Sequence, residues 1–471
     1  MNTTTFQIKG GNKLKGEIMA KKIKFDRDGD RLVIAGAVRT PVGQAGSALS
    51  GMHSFELGSL VVDELLKRTK LDKSKVDGVI AGEIGQSSKA PNAARVISVK
   101  NELPLNASAA TVANNCVSGY EAIFEAGRRI ITGENDVVVV IGEESMSNFP
   151  IYLDGAKHNS KTANIDKLKA NWAEVPNMPD IKLIDGVAEG LNDPIRDAMM
   201  FATAEIVAQK LNLSREDLDK YAHGSYKKAF DALTAGKYDK YLLPVKYGEK
   251  PDEILDKDEF VMGKTGFIEK PERFAKSPVI YEKMPGGLKG LYDRFEKWIG
   301  KKYVETAKPV VTLFNACPQS DGAGAVILTT ESKAKELGLP ILAKIAGWGY
   351  AGVDPAIMGL GIAYAMKQAL ENTGLSWDDI NKYEIHEAFA ATALGSMVVA
   401  RDEFKYDLVS RLEKGDVNPN GGTLAMGHPL GATGIRVVIN QLLDLEGGAK
   451  YAMGSICAGG GVGGALILEK A

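Results

Sequence analysis

Two of the three cysteines in this 471-residue chain stand in surroundings suited to sulfur chemistry. Cys116 lies in Asn114-Asn115-Cys116-Val117-Ser118-Gly119-Tyr120, and Cys457 in Ser455-Ile456-Cys457-Ala458-Gly459-Gly460-Gly461. A thiol attacks carbon as its thiolate, and the free N–H groups and dipole at the first turn of a helix stabilise that anion. Residues 120–128 predict a helix directly after Cys116, which sets the sulfur at such a turn. A lone cysteine otherwise reads as a small buried hydrophobe. The polar Asn114-Asn115 approach and the Ser118-Gly119 exit weigh against that reading.

One of only five histidines, His428, sits in Gly427-His428-Pro429-Leu430-Gly431-Ala432-Thr433-Gly434, ahead of a predicted helix over 435–445. The glycines let other chain or a ligand come close to the ring. A neutral imidazole near pH 7 suits a general base, against the alternative of a structural loop histidine. The run after Cys457 formally contains G-x-G-x-x-G at Gly459, Gly461 and Gly464. A dinucleotide fingerprint must open a helix inside a βαβ unit, and the chain ends too soon for one. The run is better suited to presenting backbone N–H donors to an oxyanion beside a second thiol. In Ile385-His386-Glu387-Ala388-Phe389, a histidine and a carboxylate stand where an apolar strand gives way to a helix, either lining a site or capping that helix.

The elements that must position these residues alternate. Residues 32–38 and 137–141 read as buried strands, and Leu57, Leu60, Val61 and Leu65 fall on one helical face. Such alternation predicts an α/β sheet covered by helices. From about residue 148 to 308 the pattern turns polar and irregular, with helices predicted over 198–211 and from Ser214, whose hydroxyl can cap with Asp217. Residues 310–314 and 323–328 resume strand character, Ser376-Trp377-Asp378-Asp379 predicts another helix start, and 465–468 a closing strand. Two similar α/β halves and an excursion between them account for this order.

The length suggests roughly three domain-sized units. With 44% hydrophobic and 25% charged residues and a net charge of -2, no global field favours nucleic acid. An odd cysteine count without C-x-x-C pairs argues for a reducing compartment and against a disulfide framework or structural zinc. The first thirty residues lack a signal-peptide pattern, and the longest apolar run falls far short of the ~20 residues of a spanning helix, so a cytoplasmic location is expected.

Together with Val38-Arg39-Thr40-Pro41-Val42-Gly43, Glu143-Glu144-Ser145-Met146-Ser147-Asn148, Ala202-Thr203-Ala204-Glu205, Leu213-Ser214-Arg215-Glu216-Asp217 and Asn418-Pro419-Asn420-Gly421-Gly422, these segments resemble the thiolases, acetyl-CoA C-acyltransferases, over nearly all of residues 31–471. The resemblance implies an α/β thiolase fold, with two similar βαβαβαββ halves in a five-layer αβαβα core and an inserted loop domain. It implies an extension over 1–30, an N-terminal half over 31–150 and 308–335, a loop domain over 151–307 and a C-terminal half over 336–471. By the same resemblance Cys116 carries the acyl group, His428 activates it, and Cys457 exchanges the proton of the α-carbon. The N–H groups of Cys116 and Gly459 would form one oxyanion hole, and His428 with a water held by His386 the other. Met200, Cys317, Ala388 and Phe389 would line the coenzyme A site. Acyl-CoA and CoA are then substrates, with no metal or other cofactor, and a homodimer or homotetramer is implied.

Three departures from the family pattern stand out. His386 replaces the Asn that many thiolases carry, as in a branch that includes fatty-acid oxidation enzymes, which favours thiolysis of 3-ketoacyl-CoA over condensation. Cys317 takes the place of a serine in Asn315-Ala316-Cys317-Pro318-Gln319-Ser320-Asp321-Gly322. The loop domain is longer than usual, between Thr162 and Asp185 and again before Val310. In the latter stretch Leu288, Leu291, Tyr292, Phe295, Trp298 and Ile299 form an apolar helical face flanked by Lys289, Arg294, Lys297, Lys301 and Lys302. That face either packs on its own loop domain or docks to a membrane or partner enzyme. Two other readings compete: a ketoacyl-carrier-protein synthase, which lacks the late cysteine, and a non-catalytic scaffold, which needs none of Cys116, His386, His428 and Cys457.

Overall fold

Strand β1, Asp30–Arg39, is buried from Leu32 onward, as its near-continuous apolar run requires of a strand covered on both faces. The computed structural model describes residues 23–154 and 182–471. Most of the expected terminal extension, and most of the insertion expected between Thr162 and Asp185, lie outside them. After β1 the chain forms α1 (Ser54–Thr69), β2 (Gly78–Gly82), α2 (Ala93–Lys100), β3 (Ser108–Val112), α3 (Ser118–Thr132) and β4 (Val137–Ser145), and β5 (Ser320–Thr330) joins after the excursion. The strands lie in the order β3-β2-β4-β5-β1. β2 runs parallel to β3 and β4, whereas β5 is antiparallel to β4 and β1.

The excursion contributes α4 (Met200–Leu211), α5 (Arg215–Thr234) and α6 (Gly287–Ile299). The C-terminal part then repeats the first arrangement with β6 (Ala343–Gly352), α7 (Gly361–Thr373), β7 (Lys382–Ile385), α8 (Ala390–Phe404), α9 (Thr433–Glu446), β8 (Tyr451–Ala458) and β9 (Val462–Lys470). Its order is β7-β8-β9-β6, and Val417 forms a parallel bridge to Tyr383 on the free side of β7. The third strand of this half is thus reduced to a single bridge, with strand directions otherwise matching those of the first half. Ile34 and Val33 of β1 pair with Ala343 and Lys344 of β6 and join the halves.

Helices α3 and α9 pack on each other, and each touches strands of both halves, so they form the middle layer. α1 and α2 cover the first sheet and α7 the second, which gives the five-layer α/β core that the resemblance implies. Tyr120, Ile123, Val437, Leu442 and Ile456 fill the space between the sheets, all at most 1% exposed. On the outer side Leu57, Val61 and Leu65 of α1 are buried against Val33 and Ile141. Leu60, predicted on that face, is 39% exposed, because the i, i+4, i+8 row already fills the contact and residue 60 turns off its edge.

Two further expectations are corrected. Residues 310–314 do not form a strand, because their donors are taken elsewhere. The Val310 and Val311 N–H groups donate to Glu205 at 2.9 to 3.1 Å, and Thr312 N–H to Asn315 Oδ1 at 2.8 Å. The Ser376 capping box forms, but it closes only one 3₁₀ turn over Trp377–Asp379, since Asn381 N–H is at once taken by the Tyr451 carbonyl and the chain enters β7. The Ser214 cap of α5 is present as expected, with Asp217 N–H donating to its hydroxyl at 3.0 Å.

The apolar face of α6 is not available to a membrane or partner enzyme. Leu288, Leu291, Tyr292, Phe295 and Ile299 are 2 to 7% exposed and pack on Ala198, Ala202 and Ile206 of the α4 region and on Ala356. Each such side chain gains about 1.5 to 3 kcal/mol from burial. The basic flank is engaged as well: Lys289 reaches Asp293 at 2.7 Å, and Arg294 donates to the Asp197 carbonyl at 2.6 Å. Among the described residues, no helix is long and apolar enough to cross a membrane.

A buried ion pair ties the excursion to β1. Arg39 meets Asp258 through two hydrogen bonds of 2.6 and 2.9 Å, and both side chains are at most 2% exposed. The Asp258 carboxylate also accepts Val42 N–H at 2.8 Å. Replacing Arg39 by Met leaves a buried carboxylate without its cation, which costs about 3 to 5 kcal/mol. Urea unfolding of R39M should show a loss of that size, and a loss below about 1 kcal/mol would show that the pair does not hold the two parts together.

Candidate active site

Cys116 lies just ahead of α3, in a turn where Asn115 takes φ 44°, a left-handed conformation that Asn tolerates better than most residues. Ser118 Oγ fastens the turn, donating to the Asn115 carbonyl at 2.7 Å and accepting Asn114 N–H at 2.8 Å. The Cys116 side chain is half-buried. Burial pushes its thiol up to about 12, the N–H groups of Gly459 and of Cys116 itself pull the other way, and the Glu144 carboxylate adds to the rise. Two backbone N–H groups, one from each half of the molecule, thus lie close enough to the sulfur to favour its thiolate. Asn115 Nδ2 holds Gly459 in place by donating to its carbonyl at 2.9 Å.

His428 arrives from the equivalent loop before α9. Its N–H is taken by the Pro318 carbonyl at 3.1 Å and by Ser320 Oγ at 3.2 Å. The Thr433 hydroxyl donates to the Pro429 carbonyl at 2.9 Å and stands 2.7 Å from His428 Nδ1. A hydroxyl has one hydrogen, so Thr433 accepts from Nδ1–H, and the network assigns the bare lone pair to Nε2. That Nε2 is buried and meets no protein partner among the described residues. Burial, helped by the charge of Arg436, lowers the imidazole to about 3. The loops meet backbone to backbone: a methyl on Gly119 would stand 2.6 Å from the Gly431 carbonyl oxygen, and one on Gly431 would stand 2.3 Å from that of Glu143.

Cys457, the penultimate residue of β8, has no exposed surface, and its Sγ is 3.7 Å from His386 Nδ1. His386 stands just beyond β7, its N–H held by the Ser455 carbonyl at 2.8 Å. Its ring centroid is 4.4 Å from that of His428, and its Nε2 is likewise buried without a partner. Burial, the second imidazole and Arg436 hold His386 well below the ordinary histidine range. Burial raises the Cys457 thiol, and the nearby Cys116 and Cys317 sulfurs raise it further. The three thiols and two imidazoles read from the sequence are thus gathered in one place. Gly460 and Gly461, both at φ 81°, make the turn of the β8–β9 hairpin, which leaves no helix for a dinucleotide fingerprint.

The residues expected along coenzyme A lie at this site to differing degrees. Met200, at the start of α4, places its Sδ 3.5 Å from where a Cβ on Gly459 would stand. Cys317 is half-buried and donates its N–H to the Ala388 carbonyl at 3.0 Å, and Ala316 bridges Phe389. Ala388 and Phe389 are only 5% and 8% exposed, so they wall the site through that pairing.

Glu387 does not cap α8. It accepts from Tyr221 Oη at 2.9 Å, Ser225 Oγ at 2.6 Å, Asn418 Nδ2 at 2.8 Å and Leu424 N–H at 3.2 Å, pinning the turn that carries His386 to α5 and to residues 418–424. Sequence reasoning missed this anchor, along with Thr433 and Glu144. Glu144 accepts Gly431 N–H at 3.0 Å and Gly85 N–H at 2.9 Å and so secures the His428 loop over the end of β2. The signal for Thr433 was its spacing of five from His428 at the first turn of a helix. The partners of Glu387 and Glu144 are distant in sequence and left no local trace.

Known proteins match this arrangement throughout. The family model described as the N-terminal domain of thiolase matches residues 32–277, and that of the C-terminal domain matches residues 339–470. An acetyl-CoA acetyltransferase of Pseudomonas aeruginosa is 34% identical over 441 residues, covering 93% of this chain and 99% of the relative. A probable acetyl-CoA acyltransferase of Staphylococcus aureus is 33% identical with the same coverage. Among solved structures, human mitochondrial 3-ketoacyl-CoA thiolase in complex with CoA is similar at a TM-score of 0.78 and 30% identity, over 94% of this chain and 98% of that one. An acetyl-CoA acetyltransferase from Syntrophomonas wolfei gives a TM-score of 0.80 at 28% identity, over 94% and 100%. With both domain models matched in order and thiols, imidazoles and backbone donors converging where the halves meet, the chain belongs to the thiolase family.

Proposed function

We propose that this thiolase splits 3-ketoacyl-CoA by thiolysis through an acyl group on Cys116, with condensation as the reverse. The observation that carries the reading is the cluster itself: Cys457 Sγ lies 3.7 Å from His386 Nδ1, the His386 ring centroid lies 4.4 Å from that of His428 with its unpartnered Nε2, and the N–H groups of Cys116 and Gly459 favour the Cys116 thiolate. His428 Nε2 takes the thiol proton, the sulfur adds to the 3-keto carbon, and the oxyanion is met by the N–H groups of Cys116 and Gly459. Such a donor typically contributes about 3 to 4 kcal/mol. The bond between carbons 2 and 3 then breaks, and Cys457 delivers its proton to carbon 2 of the departing acetyl-CoA enolate. With Cys457 as the thiol, its S–H points to His386 Nδ1 and the His386 proton sits on Nε2, a donor free to hold a water against the enolate oxygen. CoA next gives its proton to Cys457 and attacks the acyl-cysteine, and His428 returns the first proton to Cys116. Exchange of one thioester for another conserves oxidation state, so the cycle calls for no redox partner.

Cys457, fully buried 3.7 Å from His386, weighs against a carrier-protein synthase, and the convergence of all four groups weighs against a scaffold. Met200, Cys317, Ala388 and Phe389 are assigned to the coenzyme A side. A homo-oligomer fits the open outer edge of β3, the last strand of the first sheet and half-buried along its length. The proposed cytoplasmic location rests on the cysteine usage.

C116A should form no acyl-enzyme with acetyl-CoA by intact-mass spectrometry, whereas C457A should become acylated yet turn over at least ~100-fold more slowly; an acylated C116A would overturn the assignment. A thiol raised to about 12 is protonated at neutral pH, so alkylation of the free enzyme by iodoacetamide should climb roughly tenfold per unit from pH 7 to 10. A plateau already at pH 7 would show a standing thiolate instead. His386 in place of Asn points to degradation, so thiolysis kcat/KM should be higher on a long-chain 3-ketoacyl-CoA than on acetoacetyl-CoA, and the reverse order would mark a short-chain enzyme.

A further inference from the structure

The excursion reaches the segment beside the catalytic turn through Arg196, next to the packing of α6 on Ala356. Arg196 lies in the hairpin turn just before α4, where the Asp193 carboxylate accepts its N–H at 2.7 Å and that of Ile195 at 3.0 Å. Its guanidinium lies over the Trp298 indole of α6, 4.6 Å from the ring centroid. It also donates twice to Asp354, from Nε at 2.9 Å and from Nη2 at 2.5 Å. A planar fork stacked on an aromatic ring and paired with a carboxylate is the arrangement for which Lys is a poor substitute.

Asp354 sits against the catalytic turn. Its carboxylate also accepts Ala356 N–H at 3.0 Å and so fixes the 3₁₀ turn that follows. The residue before it, Val353, donates its N–H to the Gly461 carbonyl at 2.8 Å. The approach is tight: a methyl on Gly461 would stand 2.1 Å from the Val353 carbonyl oxygen and 3.0 Å from Pro355 N. Two residues earlier, Gly459 gives its carbonyl to Asn115, the neighbour of Cys116, at 2.9 Å, and its N–H favours the Cys116 thiolate. The turn is thus held by Asn115 on the thiol side and by residues 353–355 on the other.

We propose that Arg196 is a positioning residue, through which α6 fixes Asp354 and, by residues 353–355, sets the aim of the Gly459 N–H at the acyl oxygen. The inference rests on the reading of Cys116 as acyl carrier and Gly459 as oxyanion donor. Neither Arg196 nor Trp298 touches the reacting atoms. The Arg196 and Asp354 side chains are 30% and 27% exposed, so solvent screens the pair and its effect on overall stability is small. Its effect lies in alignment, where a 1 Å misplacement can cost on the order of 100-fold in rate.

The test compares the full-length wild type with R196M, R196K and D354N in acetoacetyl-CoA thiolysis and in the rate of Cys116 acylation by acetyl-CoA. R196M should lower kcat and the acylation rate about tenfold, a misalignment of less than 1 Å, and leave KM for the thioester within about twofold. R196K, which keeps the charge without the fork, should fall between R196M and wild type, and D354N should match R196M without adding to it in the double variant. Should R196M fail to fold, D354N, which keeps an acceptor for Ala356 N–H, is judged by the same split between kcat and KM. Variants that lose melting temperature but keep kcat, or that change KM alone, overturn the proposal. Failure of the wild type to acylate Cys116 would overturn the underlying reading instead, so the two failures are distinguishable.

Discussion

The site depends on a backbone-to-backbone contact between the two halves. Gly119 at the start of α3 lies against the Gly431 carbonyl, and Gly434 at the start of α9 lies against Tyr120 N, where a methyl would stand at 2.5 Å. No side chain fits between them, so the first turns of α3 and α9 come as close as backbones allow. That closeness brings the loop with Cys116 to the loop with His428. It lets Gly459, from the β8–β9 turn, add its N–H to that of Cys116 beside one sulfur. A Cβ at Gly119 would separate Cys116, His428 and Gly459 together, because all three are carried by the same contact.

The same closeness excludes water and decides the charges. Burial opposes both the thiolate and the imidazolium, pushing Cys116 up to about 12 and His428 down to about 3. The resting pair is therefore neutral. The proposed transfer of a proton from sulfur to Nε2 creates two charges at once, and only donors already in place can offset that cost. Arg436, 3% exposed, disfavours a cation on either imidazole, whereas Glu144 disfavours an anion on Cys116.

The chemistry was legible in the sequence because it sits in short segments whose residue types are unusual together. A cysteine after Asn-Asn and before Ser-Gly, a histidine in a glycine turn and a cysteine before a glycine run name their own surroundings. The core was legible where burial is continuous, as in β1 and β4. Residues 310–314 misled because an apolar β-branched run says nothing about where its N–H groups go, and here Glu205 takes them. The stripe on α6 showed that a face is buried without showing against what, and its partners on α4 are far away in sequence. Glu387 looked like a cap because its hydrogen-bond partners at residues 221, 225 and 418 could not be seen locally.

The duplicated architecture explains why Cys116 and His428 occur where they do. In the first half, the third strand leads to α3 and then to β4; in the second, the Val417 bridge leads to α9 and then to β8. Cys116 and His428 thus occupy equivalent loops, each ahead of a helix of the middle layer. The ends of β4 and β8 correspond too, but they carry Glu144 in one half and Cys457 in the other. Glu144 spends its carboxylate on Gly431 and Gly85, holding the partner half's loop in place, while Cys457 turns its thiol to His386. One half therefore supplies Cys116 and the brace, and the other supplies His428 and the second thiol. A single copy of this unit could not hold all four roles, because each equivalent position takes only one residue.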